Sequence, residues 1–182
     1  EDYADHLSLL DEQVQRLLDG LQLRKDQAKT AVLATADHGE MLGDGGMLYK
    51  GSFLEGAIRV PFIYAPPKLA QVVRGQSTSR PLPLTGLLRE VFNNLSVGGA
   101  LKPLQHWARL QPGAIVEFGQ ERLFIRGPRK LCMGALGQPL WATQLRNDPN
   151  EQNNVLSKRL VLKPQWWSLM RWAQQKQRQR SA

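Results

Sequence analysis

The stretch Ala31-Val32-Leu33-Ala34-Thr35-Ala36-Asp37-His38-Gly39, followed on the same segment by Lys50, decides how this chain is read. A short apolar run ends in a carboxylate, an imidazole and a glycine. Thr30–Ala36 is too short for an independent helix and reads as a buried strand. Ligand-bearing groups placed where such a strand gives way to a loop sit at the mouth of an open α/β sheet. Lys50 adds an ammonium group on that loop that can grip an anion. On these residues alone two readings stand: Asp37 and His38 are metal ligands, or they are a carboxylate and an imidazole that only hydrogen bond.

Upstream, Leu7, Leu10, Val14, Leu17, Leu18 and Leu21 recur at spacings of three and four and predict a helix over 3–23, with Gly20 placed for a C-cap. Downstream, Gly39, Gly43, Gly45, Gly46 and Gly51 suit a loop that turns tightly and approaches a ligand. Phe62–Ala65 reads as a second strand between Pro61 and Pro66-Pro67, and Thr85–Leu95 as a helix with Leu87, Leu88, Val91, Phe92 and Leu95 on its apolar side. Helix, strand, loop, strand is the grammar of an α/β sheet. Leu95–Gly113, with Gly98-Gly99, Pro103 and Pro112, reads as a linker. Ala114–Phe118, Arg122–Arg126 and Arg129–Met133 then read as short strands between Gly or Pro turns. Asn147–Asn154 is a polar turn. Gln165–Arg180 is a closing helix whose Trp166, Met170 and Ala173, widened by Trp167, Leu169 and Trp172, dock onto the small sheet rather than stack on a sugar. The expected division is 1–110 and 111–182.

The 182 residues, 42% hydrophobic and 22% charged, are enough for a packed core. No apolar run approaches the ~18–20 residues of a membrane span. The acidic start Glu1-Asp2-Tyr3-Ala4-Asp5 is not a signal peptide; a sorting signal would lie upstream, so the compartment is open. The net charge of +8 concentrates toward Lys158–Arg180. No zinc-finger, RRM or helix-turn-helix pattern accompanies it, so the basic tail reads as solvated and no nucleic acid is expected. One cysteine, Cys132, allows no intrachain disulfide and reads as a packed thiol.

The run from Thr35 to Pro61, Thr-Ala-Asp37-His38-Gly39-Glu-Met-Leu-Gly43, then Lys50, then Phe53-Leu-Glu55-Gly-Ala-Ile-Arg59-Val-Pro61, closely resembles the sulfatase family of the alkaline-phosphatase superfamily. Tyr3-Ala4 through Asp11, with Val14, Arg16, Leu17 and Leu18, is similar to the helix that precedes this motif in the family. Leu145-Arg-Asn-Asp148-Pro-Asn-Glu151-Gln-Asn-Asn154 resembles its late signature L-x-x-D-P-x-E-x-x-N. The implied fold is α/β: the C-terminal part of an alkaline-phosphatase-like sheet with flanking helices, plus a small antiparallel sheet and a C-terminal helix.

The resemblance implies a sulfate-ester hydrolase, with Asp37 and His38 as ligands of a divalent metal and Lys50 binding the ester's oxygens. The usual ion is calcium with an Asn in the second slot. His38 there, as in relatives resembling phosphonate monoester hydrolases, favours manganese or zinc and opens a phosphonate or phosphodiester alternative. Glu55 and Arg59 are expected as a buried pair framing the site. Gly45 stands where many members have His or Arg. The family's early aspartates and its C/S-x-P/A-x-R motif, source of the formylglycine nucleophile, do not occur here, and Cys132, followed by Met-Gly-Ala-Leu, does not match that motif. The chain is therefore expected to be the C-terminal piece of a longer enzyme, inactive alone and weak in metal affinity. A missing N-terminal half would be its partner, and an apolar face left by that half would favour self-association. A non-catalytic sulfatase-like interaction module is the remaining alternative.

Overall fold

The computed structural model describes residues 2–67, 81–97, 113–156 and 164–181. The chain forms two compact units, Glu1–Thr35 with Phe62–Val72, and Ala36–Pro61 with Val73–Ala182. The expected linker falls mostly outside the described residues.

In the first unit, α1 (Asp2–Gln22) is the helix expected from the leucine spacing. It runs through Gly20 rather than capping there, and a turn closed by Arg24 N–H to Leu21 O (3.1 Å) follows. Leu7, Leu10, Val14 and Leu17 of its apolar stripe are exposed. β1 (Val32–Thr35) pairs antiparallel with β2 (Phe62–Ala65), from Val32 opposite Ala65 to Thr35 opposite Phe62. β1 is not the buried strand expected: Val32 and Leu33 are half-buried, Ala34 and Thr35 exposed. An apolar run reports what a strand needs covered, not what covers it, and among the described residues the sheet of β1 has two strands only.

The second unit holds α2 (Glu55–Ile58), α3 (Leu84–Val97), β3 (Ala114–Phe118), β4 (Glu121–Arg126), β5 (Arg129–Met133), β6 (Pro139–Gln144) and α4 (Pro164–Ser181). The four strands form an antiparallel meander in chain order. β3, β4 and β5 fall where expected. β6 escaped the sequence reading because it opens on a proline, which lacks the N–H a ladder needs; in this meander β6 is an edge strand, where that loss is tolerated.

The central strands are buried on both faces, and alternation sorts their side chains between two cores. Phe124, Leu131 and Met133 pack with Ala142, Val155 and, from α4, Trp166, Leu169 and Ala173. Leu123, Ile125 and Cys132 point the other way and pack with Ala114 and Phe53. Each fully buried large side chain contributes about 1.5–3 kcal/mol relative to exposure. Trp172 meets Phe124 edge-on at 5.5 Å and 84°. Two arginines of β4 fasten α4 through its carbonyls, Arg122 Nη1 to Lys176 O (3.0 Å) and Arg126 Nη1 to Ser168 O (3.4 Å). Trp167, expected to widen the docking face, is exposed. In α3, Leu87 and Val91 are buried, whereas Phe92 and Leu95 of its predicted apolar side are exposed.

Candidate functional site

The loop that follows His38 is tied by its own backbone. Met41 N–H donates to Tyr49 O (2.9 Å), Gly43 N–H to Met47 O (2.8 Å) and Asp44 N–H to Met41 O (2.7 Å). Met41 is fully buried beneath it. The path needs left-handed backbone at Gly43 (φ 103°) and Gly45 (φ 59°), which suits residues without a Cβ. The same conformation explains the glycine at position 45: a side chain there would strain the backbone and press on Leu54. Gly39 answers to a different constraint. Its N–H donates to Ala57 O (2.7 Å), and a Cβ would collide with the Gly56 carbonyl.

This frame brings Asp37, His38 and Lys50 together. His38 Nδ1 lies 2.8 Å from Gly39 O. A carbonyl only accepts, so Nδ1 carries the proton and Nε2 keeps its lone pair. That lone pair accepts from Lys50 Nζ at 2.7 Å. Asp37 Oδ2 stands 3.5 Å from the same Nε2, and Asp37 Oδ1 accepts the His38 backbone N–H at 3.0 Å. Asp37 is exposed over 86% of its side chain and His38 over 37%, so both reach solvent. Two donors on one ion with bonds of ~2.0–2.2 Å stand about 3–3.5 Å apart, so imidazole and carboxylate fit a shared cation. A backbone carbonyl on Nδ1 is the kind of outer contact that would orient a ligating histidine. The set holds two donors. Among the described residues no group of three or more His, Cys, Asp or Glu is placed to hold a metal.

Downstream, the segment Ser52–Ile58 is docked on the second face of the meander. Phe53 is buried against it and meets Phe118 edge-on at 6.3 Å. Lys130, on β5 and fully buried, donates from Nζ to Phe53 O (2.7 Å) and pairs with Glu55 Oε1 (3.1 Å) and Glu151 Oε1 (2.5 Å). Glu151 Oε2 accepts the Glu55 backbone N–H at 2.6 Å. The expected buried pair of Glu55 with Arg59 is thus incorrect: Arg59 is exposed, and Glu55 turns to Lys130. That pair is implied by the family resemblance, which does not fix partners; the cation that Glu55 meets comes from a strand distant in sequence. Lys130 and Glu151 carried no role in the sequence reading. A lysine in a strand pattern is assigned to solvent by default, and only its buried carboxylate partner, contributed by the late motif, overrides that.

The late motif is spent on structure. Asp148 Oδ1 accepts from Gln152 N–H (3.1 Å), and Oδ2 from Asn153 N–H (2.8 Å) and the Thr143 hydroxyl (3.1 Å). Asn154 Oδ1 accepts from Ala142 N–H (3.1 Å) and Leu156 N–H (3.0 Å), fixing the turn to β6. Burial works against the Asp148 charge, but the bonds from Asn153, Gln152 and Thr143 outweigh it and hold this carboxyl below its ordinary range.

A cleft of about 510 Å³ opens beside the loop, lined among others by Ser52, Phe53, Phe118, Glu121 and Trp141. Cys132 is fully buried and 3.6 Å from Glu121 Oε2. Burial, reinforced by that carboxylate, pushes its thiol up to about 12. It is a packed thiol, as expected, and no nucleophile.

Comparison with known proteins bears on the same residues. The Sulfatase family model matches residues 1–89. The chain is 30% identical over 165 residues to a choline-sulfatase of Rhizobium meliloti (strain 1021), covering 84% of this chain and 32% of the relative. It is 30% identical over 105 residues to an arylsulfatase of Clostridium perfringens (strain 13 / Type A), covering 56% of this chain and 22% of that protein. The chain therefore spans about a third or less of these relatives. Among solved structures, one complexed with its substrate D-glucosamine-2-N,6-O-disulfate superposes with a TM-score of 0.71 at 21% identity, covering 95% of this chain and 39% of the other. A phosphonate monoester hydrolase of Agrobacterium radiobacter superposes with a TM-score of 0.58 at 21% identity, covering 90% and 39%. At these identities the structural likeness is one of fold.

Proposed function

The chain belongs to the sulfatase family, and from that premise we propose that it forms the C-terminal part of an enzyme hydrolysing sulfate esters. In this reading residues 1–110 belong to the catalytic α/β domain and 111–182 form a small α+β subdomain, a division supported by the core that the meander builds with α4. A preceding N-terminal part supplies the remaining metal ligands and the formylglycine nucleophile. The observation that carries the site is His38 Nε2: kept unprotonated by Nδ1–H on Gly39 O, its lone pair accepts from Lys50 Nζ at 2.7 Å and stands 3.5 Å from Asp37 Oδ2.

Asp37 and His38 would hold the divalent cation, whether calcium, manganese or zinc. Such an ion, when bound, supplies Lewis-acid polarisation of an ester oxygen. The work of this chain is then positional and electrostatic. Gly39 O keeps the imidazole in the tautomer that presents Nε2. Lys50 faces the same point as a compact positive charge, suited to an ester oxygen on which negative charge develops as the bond to the alcohol breaks. One lone pair at Nε2 serves either the Lys50 ammonium or a cation, so with a cation bound the ammonium is free for the anion.

The test is turnover of p-nitrophenyl sulfate and of an aryl phosphonate by the full-length protein. Turnover of the sulfate with the higher kcat/KM, falling roughly 10²–10³-fold in Lys50→Ala, is the expected result. The second reading, a phosphonate or phosphodiester hydrolase, is favoured by His38 in place of Asn, and a higher kcat/KM on the phosphorus ester would establish it instead.

A further inference from the structure

The buried pair Lys130–Glu151 lies outside the site, yet a continuous set of bonds leads from it to the histidine. Glu151 Oε2 holds the N–H of Glu55, the first residue of α2, and Lys130 Nζ holds the carbonyl of Phe53 just before it. Ala57, buried in the same short helix, gives its carbonyl to Gly39 N–H at 2.7 Å. Gly39 in turn gives its own carbonyl to His38 Nδ1 at 2.8 Å. Contact is close all along this route. The Gly56 carbonyl fills the space where a Cβ of Gly39 would be, and a Cβ on Gly56 would press on Asp44 Oδ2 (3.1 Å) and Met41 Sδ (3.2 Å).

The helix α2 is one turn long, with no side-chain cap of its own at Leu54. An isolated helix of that length does not persist in water, so its geometry is imposed from outside. The imposing groups are an ammonium and a carboxylate that are 0% and 3% exposed, where a charge-assisted bond is strong and its loss costly.

We propose that Lys130 and Glu151 are positioning residues for the Asp37–His38 couplet: through α2 and Gly39 they set the imidazole so that Nε2 faces Lys50 and the ligand. The late motif, 96 residues beyond Glu55 in its Glu151 contact, is then part of the site's scaffold and not only a turn. The consequence for catalysis rests on the sulfatase reading; the consequence for His38 does not.

The experiment is amide hydrogen exchange and imidazole ¹⁵N NMR on the chain carrying Lys130→Met with Glu151→Gln, which removes both charges at similar volume. Exchange of the Glu55 and Gly39 amides should rise at least roughly tenfold, while the amides of β4 and β5 keep their protection. The His38 ring should lose the single Nδ1–H tautomer. Lys130→Arg, which keeps charge and donors, should restore most of the Gly39 protection. If the Glu55 amide is released while Gly39 and the His38 ring stay as they were, the linkage ends at α2 and the proposal is wrong. Should the double variant also lose protection in β4 and β5, Glu151→Gln alone decides by the same two amides: the neutral acceptor it leaves is weaker than the carboxylate, so both should exchange faster, and a faster Glu55 amide with an unchanged Gly39 amide overturns the proposal. In the full-length protein the double variant should lower kcat on p-nitrophenyl sulfate with KM little changed. An enzyme that turns over no sulfate ester at all, yet shows the exchange pattern, would remove the sulfatase reading and leave the positioning role standing.

Discussion

Two polar segments of this chain use the same residue types for opposite ends. In the loop from Asp37 to Lys50, an aspartate, a histidine and a lysine point toward solvent, and the Asp37 side chain is 86% exposed. In the turn from Asp148 to Asn154, an aspartate, a glutamate and an asparagine are consumed by backbone N–H groups and one buried ammonium, and the Glu151 side chain is 3% exposed. The first set is the one proposed to meet a ligand. The second acts as a fastener. Residue type and spacing alone do not separate these cases; burial and the whole partner set do: Asp37 accepts one backbone N–H in the open, Asp148 accepts two and a hydroxyl, and Glu151 accepts one while its other oxygen meets a buried ammonium.

That contrast predicts a ranking of substitution effects on the stability of the chain. Glu151→Ala should be the most damaging, at about 3–5 kcal/mol, because it strands Lys130 in a buried position with one of its three partners gone. Urea unfolding followed by tryptophan fluorescence measures it; a loss no larger than that of a surface change would erase the distinction between the two segments. Asp148→Ala should cost about 1–3 kcal/mol, through two backbone donors and a hydroxyl left to find water.

Asp148 also carries a pH signature. Its folded-state carboxyl is held below the ordinary value, so the unfolded chain takes up the proton first as pH falls. The stabilisation is complete above the usual carboxylate range near 4 and is lost as pH drops through the lower folded value. Melting temperatures between pH 6 and pH 2.5 should fall more steeply in the parent chain than in Asp148→Asn. Parallel curves would mean that the bonds to Gln152, Asn153 and Thr143 do not distinguish the two states.

What the sequence disclosed follows the same division. Periodicity located α1, α3 and α4, and β-type residues between Gly and Pro turns located β3, β4 and β5, because these signals are local. The catalytic-type residues Asp37, His38 and Lys50 were legible as a loop set, and the structure brings their side chains within bonding reach of one nitrogen. Three readings failed for want of non-local information. The apolar run of β1 did not disclose what covers it. Pro139 disguised an edge strand. The pairing of Glu55 with Arg59 rested on the family resemblance, while the actual cation, Lys130, sits 75 residues away on a strand whose two faces are both covered.

The metal prediction sharpens the ligand side of the contrast. With two donors from the chain, an ion would remain mostly hydrated, so titration of this 182-residue chain with manganese or calcium should give only weak heats and no tight one-to-one isotherm. Tight stoichiometric binding would mean that the described donors are joined by others of the chain, and that the site is more complete than two residues. His38→Ala should abolish what weak manganese response exists, since Nε2 is the softer of the two donors.

The smallest expected effect is the one that most directly separates ligand from fastener. Asp37→Asn keeps the shape of the side chain and an oxygen that accepts from His38 N–H, while removing the charge. That charge is largely hydrated already and stands beside a histidine and near a lysine, where an exposed ion pair contributes little. Stability should therefore change by no more than about 0.5 kcal/mol, in either direction. A carboxylate used only to hold the loop, with two backbone donors and a hydroxyl on it as at Asp148, would lose several times that on the same substitution. If Asp37→Asn destabilises the chain as much as Asp148→Asn does, Asp37 belongs with the fasteners, and its oxygens are committed to the fold rather than to an ion.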